Sequence, residues 1–358
     1  MYDVILSFLT AFLITYIAIP AIITVARIKG LTDEPGERRS HSTSIPTLGG
    51  IGIFAGVIFS ITFWTPFTVF SELQYILCAF IIIFLIGAKD DIVPLSPAKK
   101  FMGEIIAATI LVFRADVKLT SLYGLFGVYD LPIWASLTLS IFTIIVVINA
   151  INLIDGINGL SGSIGIVIAA SFGWWFYSVH AVELAIIAFA LAGALVAFLK
   201  YNITPAKIFM GDTGALLIGL ICSILAVKFI EMNKGFNHPM AIQSVPAVAI
   251  SVMIIPLFDT LRVFTIRALK GKSPFSPDRN HIHHLLLDIG LTHMQGTSVL
   301  VVVNLLFIFL AYQLQHIGSL SLLLLMLFLA IALSSVLFLY AKSKKREIVK
   351  REIANSGK

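Results

Sequence analysis

The sequence predicts an all-α, polytopic integral membrane bundle, and three observations carry that prediction. The first is composition: 58% of residues are hydrophobic and 12% charged, with a mean hydropathy of +0.99. A water-soluble fold could not hide that much apolar surface. The second is that apolar runs recur along the whole chain with only short polar breaks, and about 20 helical residues suffice to cross a hydrocarbon core. The third is that Lys and Arg collect on alternate breaks, as the positive-inside rule requires.

About eleven transmembrane helices are expected, near residues 4–26, 47–68, 72–88, 101–117, 133–154, 160–179, 182–200, 213–232, 244–266, 297–316 and 319–341. The first opens with Met-Tyr-Asp, has no basic flank and exceeds the apolar core of a signal peptide, so it reads as a permanent helix. With that start, 21 of the 25 Lys and Arg residues fall on one side and four (Arg114, Lys118, Lys228, Lys234) on the other. The asymmetry places the N-terminus outside and the C-terminus in the cytoplasm. The net charge of +6 then matches anionic headgroups and an anionic substrate, and calls for no nucleic acid. Cys78 and Cys222 lie in apolar runs and read as small buried hydrophobes. No linker, heptad run or fixed-period repeat divides the chain. Residues 1–341 are read as one membrane domain, and 342–358 as a basic cytoplasmic tail that anchors topology and ends in solvent.

Polar groups at membrane depth are costly and point to function. Nearly all of them collect in four stretches on the basic side, so the active face is expected to be cytoplasmic. Lys89-Asp90-Asp91, followed by Lys99 and Lys100, closes the third span. The acids could simply end a helix at the interface. Asn149-Ala-Ile-Asn152-Leu-Ile-Asp155-Gly156-Ile-Asn158-Gly159 closes the fifth. Asn149, Asn152 and Asp155 recur every third residue, so they share a helical flank and could bond neighbouring helices. The glycines around Asp155 instead suggest a chain bending close to something small and polar.

Gly211-Asp212-Thr213-Gly214 opens the eighth span. Asp212 or Thr213 could be an N-cap. The free N–H groups of a helix start also suit a phosphate, and an adjacent Asp can hold the Mg²⁺ that a diphosphate brings. The fourth stretch, Ser273 to His284, follows the ninth span and contains Pro277-Asp278-Arg279-Asn-His281-Ile-His283-His284. It lacks a Cys partner and a His-Glu-x-x-His spacing, so zinc is disfavoured and Arg279 suits an anion. Oxygen ligands, lysines, an arginine and a helix N-terminus together indicate Mg²⁺-dependent phosphoryl transfer. An ion-coupled transporter is the rival class, but it should show inverted repeats and charge at the bilayer midplane. This chain clusters its charge on one side.

In order and spacing the four stretches resemble the bacterial polyprenyl-phosphate N-acetylhexosamine-1-phosphate transferases, relatives of phospho-MurNAc-pentapeptide translocase. The resemblance covers roughly residues 30–295. The Pro-Asp-Arg-x-His-x-His-His stretch is similar to the branch that uses UDP-GlcNAc and undecaprenyl phosphate, whereas the translocase remains the alternative within the family. The resemblance implies that Asp212 and Asn152 are metal ligands for Mg²⁺, with Mn²⁺ as a substitute. It implies that Asn158 faces uracil, Asp155 lies in the nucleotide site and Lys100 steadies phosphates. Arg279, His281, His283 and His284 would contact sugar and diphosphate. The loop Arg38-Arg-Ser-His41 through Gly49-Gly50 would lie near the nucleotide or only shape a turn.

The implied reaction gives undecaprenyl-diphosphate-sugar and UMP in the bacterial cytoplasmic membrane, the first membrane step of a cell-surface glycan such as O-antigen or teichoic acid. The implied partners are a UDP-N-acetylhexosamine, undecaprenyl phosphate and the bilayer, with a homodimer left open. Asp90 or Asp91 is cast either as a base toward the lipid phosphate or as the nucleophile of a covalent route. A phosphate monoester with a second pKa of about 6 is already largely dianionic at neutral pH, so positioning is the favoured role.

Overall fold

In a computed structural model, residues 2–33, 45–66, 70–271 and 280–356 are described. The chain is built from helices that, α11 apart, fall on the expected apolar runs: α1 (Tyr2–Ile28), α2 (Gly49–Trp64), α3 (Phe70–Ile92), α4 (Pro97–Arg114), α5 (Ile133–Leu153), α6 (Leu160–Ser178), α7 (Val182–Asn202), α8 (Gly211–Met232), α9 (Val245–Val252), α10 (Ile254–Leu269), α11 (Ile282–Asp288), α12 (His293–Gln313) and α13 (Ser319–Ser356). Two small antiparallel pairs interrupt the helices, β1 (Thr32–Asp33) with β2 (Ile45–Pro46) and β3 (Ser121–Leu125) with β4 (Val128–Asp130). The protein is a polytopic, all-helical membrane bundle. Among the described residues seven helices are long and apolar enough to cross a bilayer, eight if α9 and α10 count as one span.

The ninth expected run is the main departure, because it breaks into α9 and α10 with a bend of 84°. Pro256 sits in the first turn of α10, where its ring would clash with the carbonyl of Val252 if the helix ran straight. Asn304 of α12, fully buried, serves the freed groups: its Nδ2 donates to Val252 O at 3.1 Å and its Oδ1 accepts from Ile255 N at 3.4 Å. Broken backbone at membrane depth persists only with such partners.

The helix at the centre is α8, and glycines let its neighbours approach. A Cβ on Gly50 would lie 2.1 Å from the amide nitrogen of Gly214, and one on Gly87 2.5 Å from Thr213 Cα. The starts of α2 and α8 and the end of α3 therefore meet at backbone distance. At the other end of α8, Thr120 donates through its N–H to Glu231 at 3.0 Å, and the Tyr123 hydroxyl donates to Ile230 O. These bonds tie the β3–β4 hairpin down.

The final helix continues into the tail. α13 runs unbroken from Ser319 to Ser356, and Lys344 donates to Ile289 O just past the end of α11. The basic segment thus begins as helix, with Lys344 held and Lys342, Lys345 and Arg346 exposed. A cation is also well placed at a helix C-terminus.

Candidate active site

A cleft of about 490 Å³ opens where α3, α5 and α8 end or begin, and Asp90, Asp91, Asn152, Asp155, Asn158, Asn202 and Asp212 line it with Thr47 and Phe209. The segment entering α2 forms one wall, with Phe209 N donating to Pro46 O at 2.7 Å and Gly50 N to Met210 O at 2.8 Å. Pro46-Thr-Leu-Gly49-Gly50 thus builds the cleft through its backbone. His41 and Arg279 lie outside the described residues.

Asp91 is engaged with the start of α8. Its carboxylate accepts from Asp212 N at 2.7 Å, from Thr213 N at 3.0 Å and from the Thr213 hydroxyl. This arrangement corrects two expectations. Neither Asp212 nor Thr213 is the N-cap, which is Met210 without a side-chain bond. The two amides expected to meet a phosphate are taken by a carboxylate from another helix, which satisfies otherwise orphaned donors.

Asp90 points elsewhere. Its Oδ1 accepts from Leu95 N at 2.6 Å, and its Oδ2 lies 3.4 Å from Lys100 Nζ, which also pairs with Asp212. Lys100 therefore bridges acids from α3 and α8. Beneath it, one turn along α4, Glu104 is buried and accepts from Asn149 Nδ2.

The α5–α6 turn supplies the opposite wall. α5 ends at Leu153, so Asp155 lies beyond it; only Asn149 and Asn152 share the expected helical flank. Asp155 accepts from the Ser161 hydroxyl, and burial pushes its carboxyl up to about 6. Asn158 donates to Thr204 Oγ1 at 3.0 Å, and the N–H of Gly159 donates to Asn202 Oδ1 at 2.7 Å. Gly159 holds a φ of +79°, a left-handed conformation that favours glycine.

The histidines sit behind this turn. His281 and His283 are 6% and 2% exposed, and among the described residues no histidine lines the cleft. His283 packs against Gly156, where a Cβ would stand 2.2 Å from its Nε2. Burial, with the neighbouring imidazoles of His284, His281 and His293, holds the His283 pKa well below the usual histidine range. His281 Nδ1 lies 2.8 Å from Oδ2 of Asp259, whose Oδ1 accepts from Ile282 N at 2.9 Å.

Sequence reasoning missed Asp259, Glu104 and Asn202. A lone carboxylate inside an apolar run was the available signal for the first two; nothing local marked Asn202.

Known proteins show the family to which the chain is related. Residues 73–230 match the model of glycosyl transferase family 4. The undecaprenyl-phosphate alpha-N-acetylglucosaminyl 1-phosphate transferase of Escherichia coli K12 is 30% identical over 277 residues, 76% of this chain and 73% of that one. The chain belongs to the polyprenyl-phosphate N-acetylglucosamine-1-phosphate transferase family. Another member of the same name, from Salmonella typhimurium, is 31% identical over 80% of this chain and 77% of its own. The decaprenyl-phosphate N-acetylglucosaminephosphotransferase of Mycobacterium tuberculosis H37Rv is 32% identical over 82% of this chain and 78% of its own. Within this transferase family, the glycosyl transferase match contains Asp90, Asp91, Lys100, Asn152, Asp155, Asn158 and Asp212, and ends before the histidine helix.

Proposed function

We propose that the protein transfers N-acetylglucosamine-1-phosphate from UDP-N-acetylglucosamine to undecaprenyl phosphate or a similar polyprenyl phosphate, releasing UMP. The observation that carries this reading is the convergence of four aspartates and three asparagines on one cleft, with Lys100 bridging Asp90 and Asp212. The relatives' transferase names support it.

An oxygen of the lipid phosphate attacks the β-phosphorus of the donor. The bond from that phosphorus to the bridging oxygen breaks, and the electron pair leaves on UMP. Charge must be neutralised and the groups held in line; little else is asked of the protein. Lys100 supplies one positive charge, aimed by Asp90. Asp91, held by three donors, fixes the start of α8 and with it Asp212. That engagement favours direct attack over a covalent route through Asp91.

The donor set suits a hard cation. Among the described residues no three His, Cys, Asp or Glu side chains converge as a ready cage, and Mg²⁺ needs none, because it keeps waters and takes oxygens from substrate phosphates. Asp212 and Asn152 would hold Mg²⁺, or Mn²⁺ in its place, and the ion would neutralise charge on the diphosphate. Asn158 on the cleft suits the uracil, with Asp155 beside it. Arg279, His281, His283 and His284 are assigned to sugar and diphosphate, the buried His281 and His283 acting through the turn they support, and His41 to the surroundings of the nucleotide. The eleven apolar segments are taken to cross or enter the membrane with the N-terminus outside and the cleft facing the cytoplasm.

The test uses purified protein with Mg²⁺, undecaprenyl phosphate and labelled UDP-N-acetylhexosamines. A lipid-linked diphosphate sugar should form. One phosphoanhydride is exchanged for another, so labelled UMP should also enter UDP-GlcNAc in reverse. Product from UDP-MurNAc-pentapeptide alone would move the protein to the translocase branch, and no product from any of these donors would reject the reading.

A further inference from the structure

The bend between α9 and α10 turns a buried carboxylate toward the histidine helix. Asp259 lies on α10, 2% exposed, and it is outside the stretch matched by the family model. Both its oxygens are committed to the start of α11, Oδ1 to Ile282 N at 2.9 Å and Oδ2 to His281 Nδ1 at 2.8 Å. Two residues on, His283 lies against Gly156, whose backbone lines the cleft. A line of direct contacts and one short helix thus runs from Asp259 through His281 and His283 to the turn that carries Asp155 and Asn158.

We propose that Asp259 is a positioning residue that fixes the ring of His281 with its proton on Nδ1 and pins α11 beneath the α5–α6 turn. The reason lies in donor and acceptor counts. A carboxylate only accepts, so Nδ1 must carry the hydrogen it shares with Asp259, and Nε2 is left as the acceptor nitrogen of the ring. An oriented histidine of this kind depends on its carboxylate for tautomer as well as place. The proposal rests on the transferase reading only for its kinetic arm.

Asp259→Asn separates shape from proton placement. The amide has one acceptor oxygen, which the Ile282 N–H claims, so its NH₂ faces His281. The ring must then accept at Nδ1 and carry its hydrogen on Nε2.

Imidazole ¹⁵N spectra of the full-length protein in nanodiscs, with the His281 signals assigned by their loss in His281→Ala, should show Nδ1 protonated in the wild type. In Asp259→Asn it should be unprotonated. A wild-type His281 without a proton on Nδ1, or the same tautomer in both proteins, overturns the proposal. The wild-type spectrum stands alone if the variant fails to fold.

The kinetic arm is a double-mutant cycle with UDP-GlcNAc and undecaprenyl phosphate. Asp259→Asn should lower kcat by on the order of a hundredfold, with little change in KM for the lipid. In the His281→Ala background the same change should cost almost nothing further, because the two act as a unit. Additive losses overturn the proposal, as does wild-type turnover in Asp259→Asn. A tautomer switch in a wild-type protein that makes no lipid-linked sugar would reject the transferase reading while leaving the Asp259–His281 relation intact.

Discussion

Asp90 and Asp91 are neighbours in sequence, yet they face different partners, and mutation should separate them. Asn at position 91 has one acceptor oxygen for the Asp212 and Thr213 amides and turns an NH₂ toward a donor. Asp91→Asn should therefore lose about 1–3 kcal/mol of stability along with activity, read as a fall in Tm. Asp90→Asn should keep its Tm and lose turnover through Lys100. Asp212→Asn should remove a charged oxygen from the proposed cation site, costing on the order of 3–5 kcal/mol of transition-state stabilisation, a hundredfold or more in kcat. Near-normal turnover with unchanged Mg²⁺ dependence would exclude that role. Asp155 gives a pH test. Its folded pKa, about 6, is raised from 3.8, so the folded state favours the protonated acid; that contribution is full below about pH 4 and is lost as pH rises through about 6. Asp155→Asn should then gain Tm over the wild type above about pH 7 and show no gain below about pH 4. The cleft admits water to this half-buried group, which limits the effect to on the order of 1 kcal/mol.

At the scale of elements, the helical segments were legible because apolar runs report burial or lipid exposure directly. What the runs could not report was how their ends meet. Asp91 caps a helix that begins 120 positions later in the chain, and Asn304 serves a break between Val252 and Ile255. Such pairings arise only in the folded bundle. Pro256 was visible in the sequence, but a proline in an apolar run signals a kink without fixing its angle. Asn304→Leu should therefore destabilise the protein by about 1–3 kcal/mol, since it strands backbone groups at the break. The glycine contacts can be tested in the same way by comparing melting temperatures. Gly50→Ala would force a Cβ to 2.1 Å from the Gly214 nitrogen, backbone that cannot swing away, whereas Gly296→Ala meets only side chains at ordinary distances, Ile157 at 3.4 Å and Leu286 at 3.7 Å. The first should disrupt the meeting of α2 and α8 and abolish activity. The second should be neutral, or stabilising by up to about 1 kcal/mol from helix propensity.

For the whole molecule, nearly every candidate residue described gathers at one end of the bundle, whereas Lys118, Lys234 and the β3–β4 hairpin mark the other. Four unlinked polar stretches were enough to anticipate that gathering, although the histidines proved to stand behind the cleft wall. If the basic end faces the cytoplasm, the cleft meets a water-soluble nucleotide sugar on one side and a lipid phosphate in the inner leaflet on the other. Both substrates then reach Asp212 without crossing the membrane. Cysteine labelling decides the orientation. Ser96, between α3 and α4, and Asn237, beyond α8, are both exposed and lie at opposite ends. With Cys78 and Cys222 replaced, Ser96→Cys should react with an impermeant maleimide only in inverted vesicles, and Asn237→Cys only in intact spheroplasts. Labelling of Ser96→Cys from outside would turn the cleft away from the cytoplasm. The donor nucleotide would then have no route to Lys100 and Asp212, and the proposed reaction could not run in the cell even if it ran in detergent.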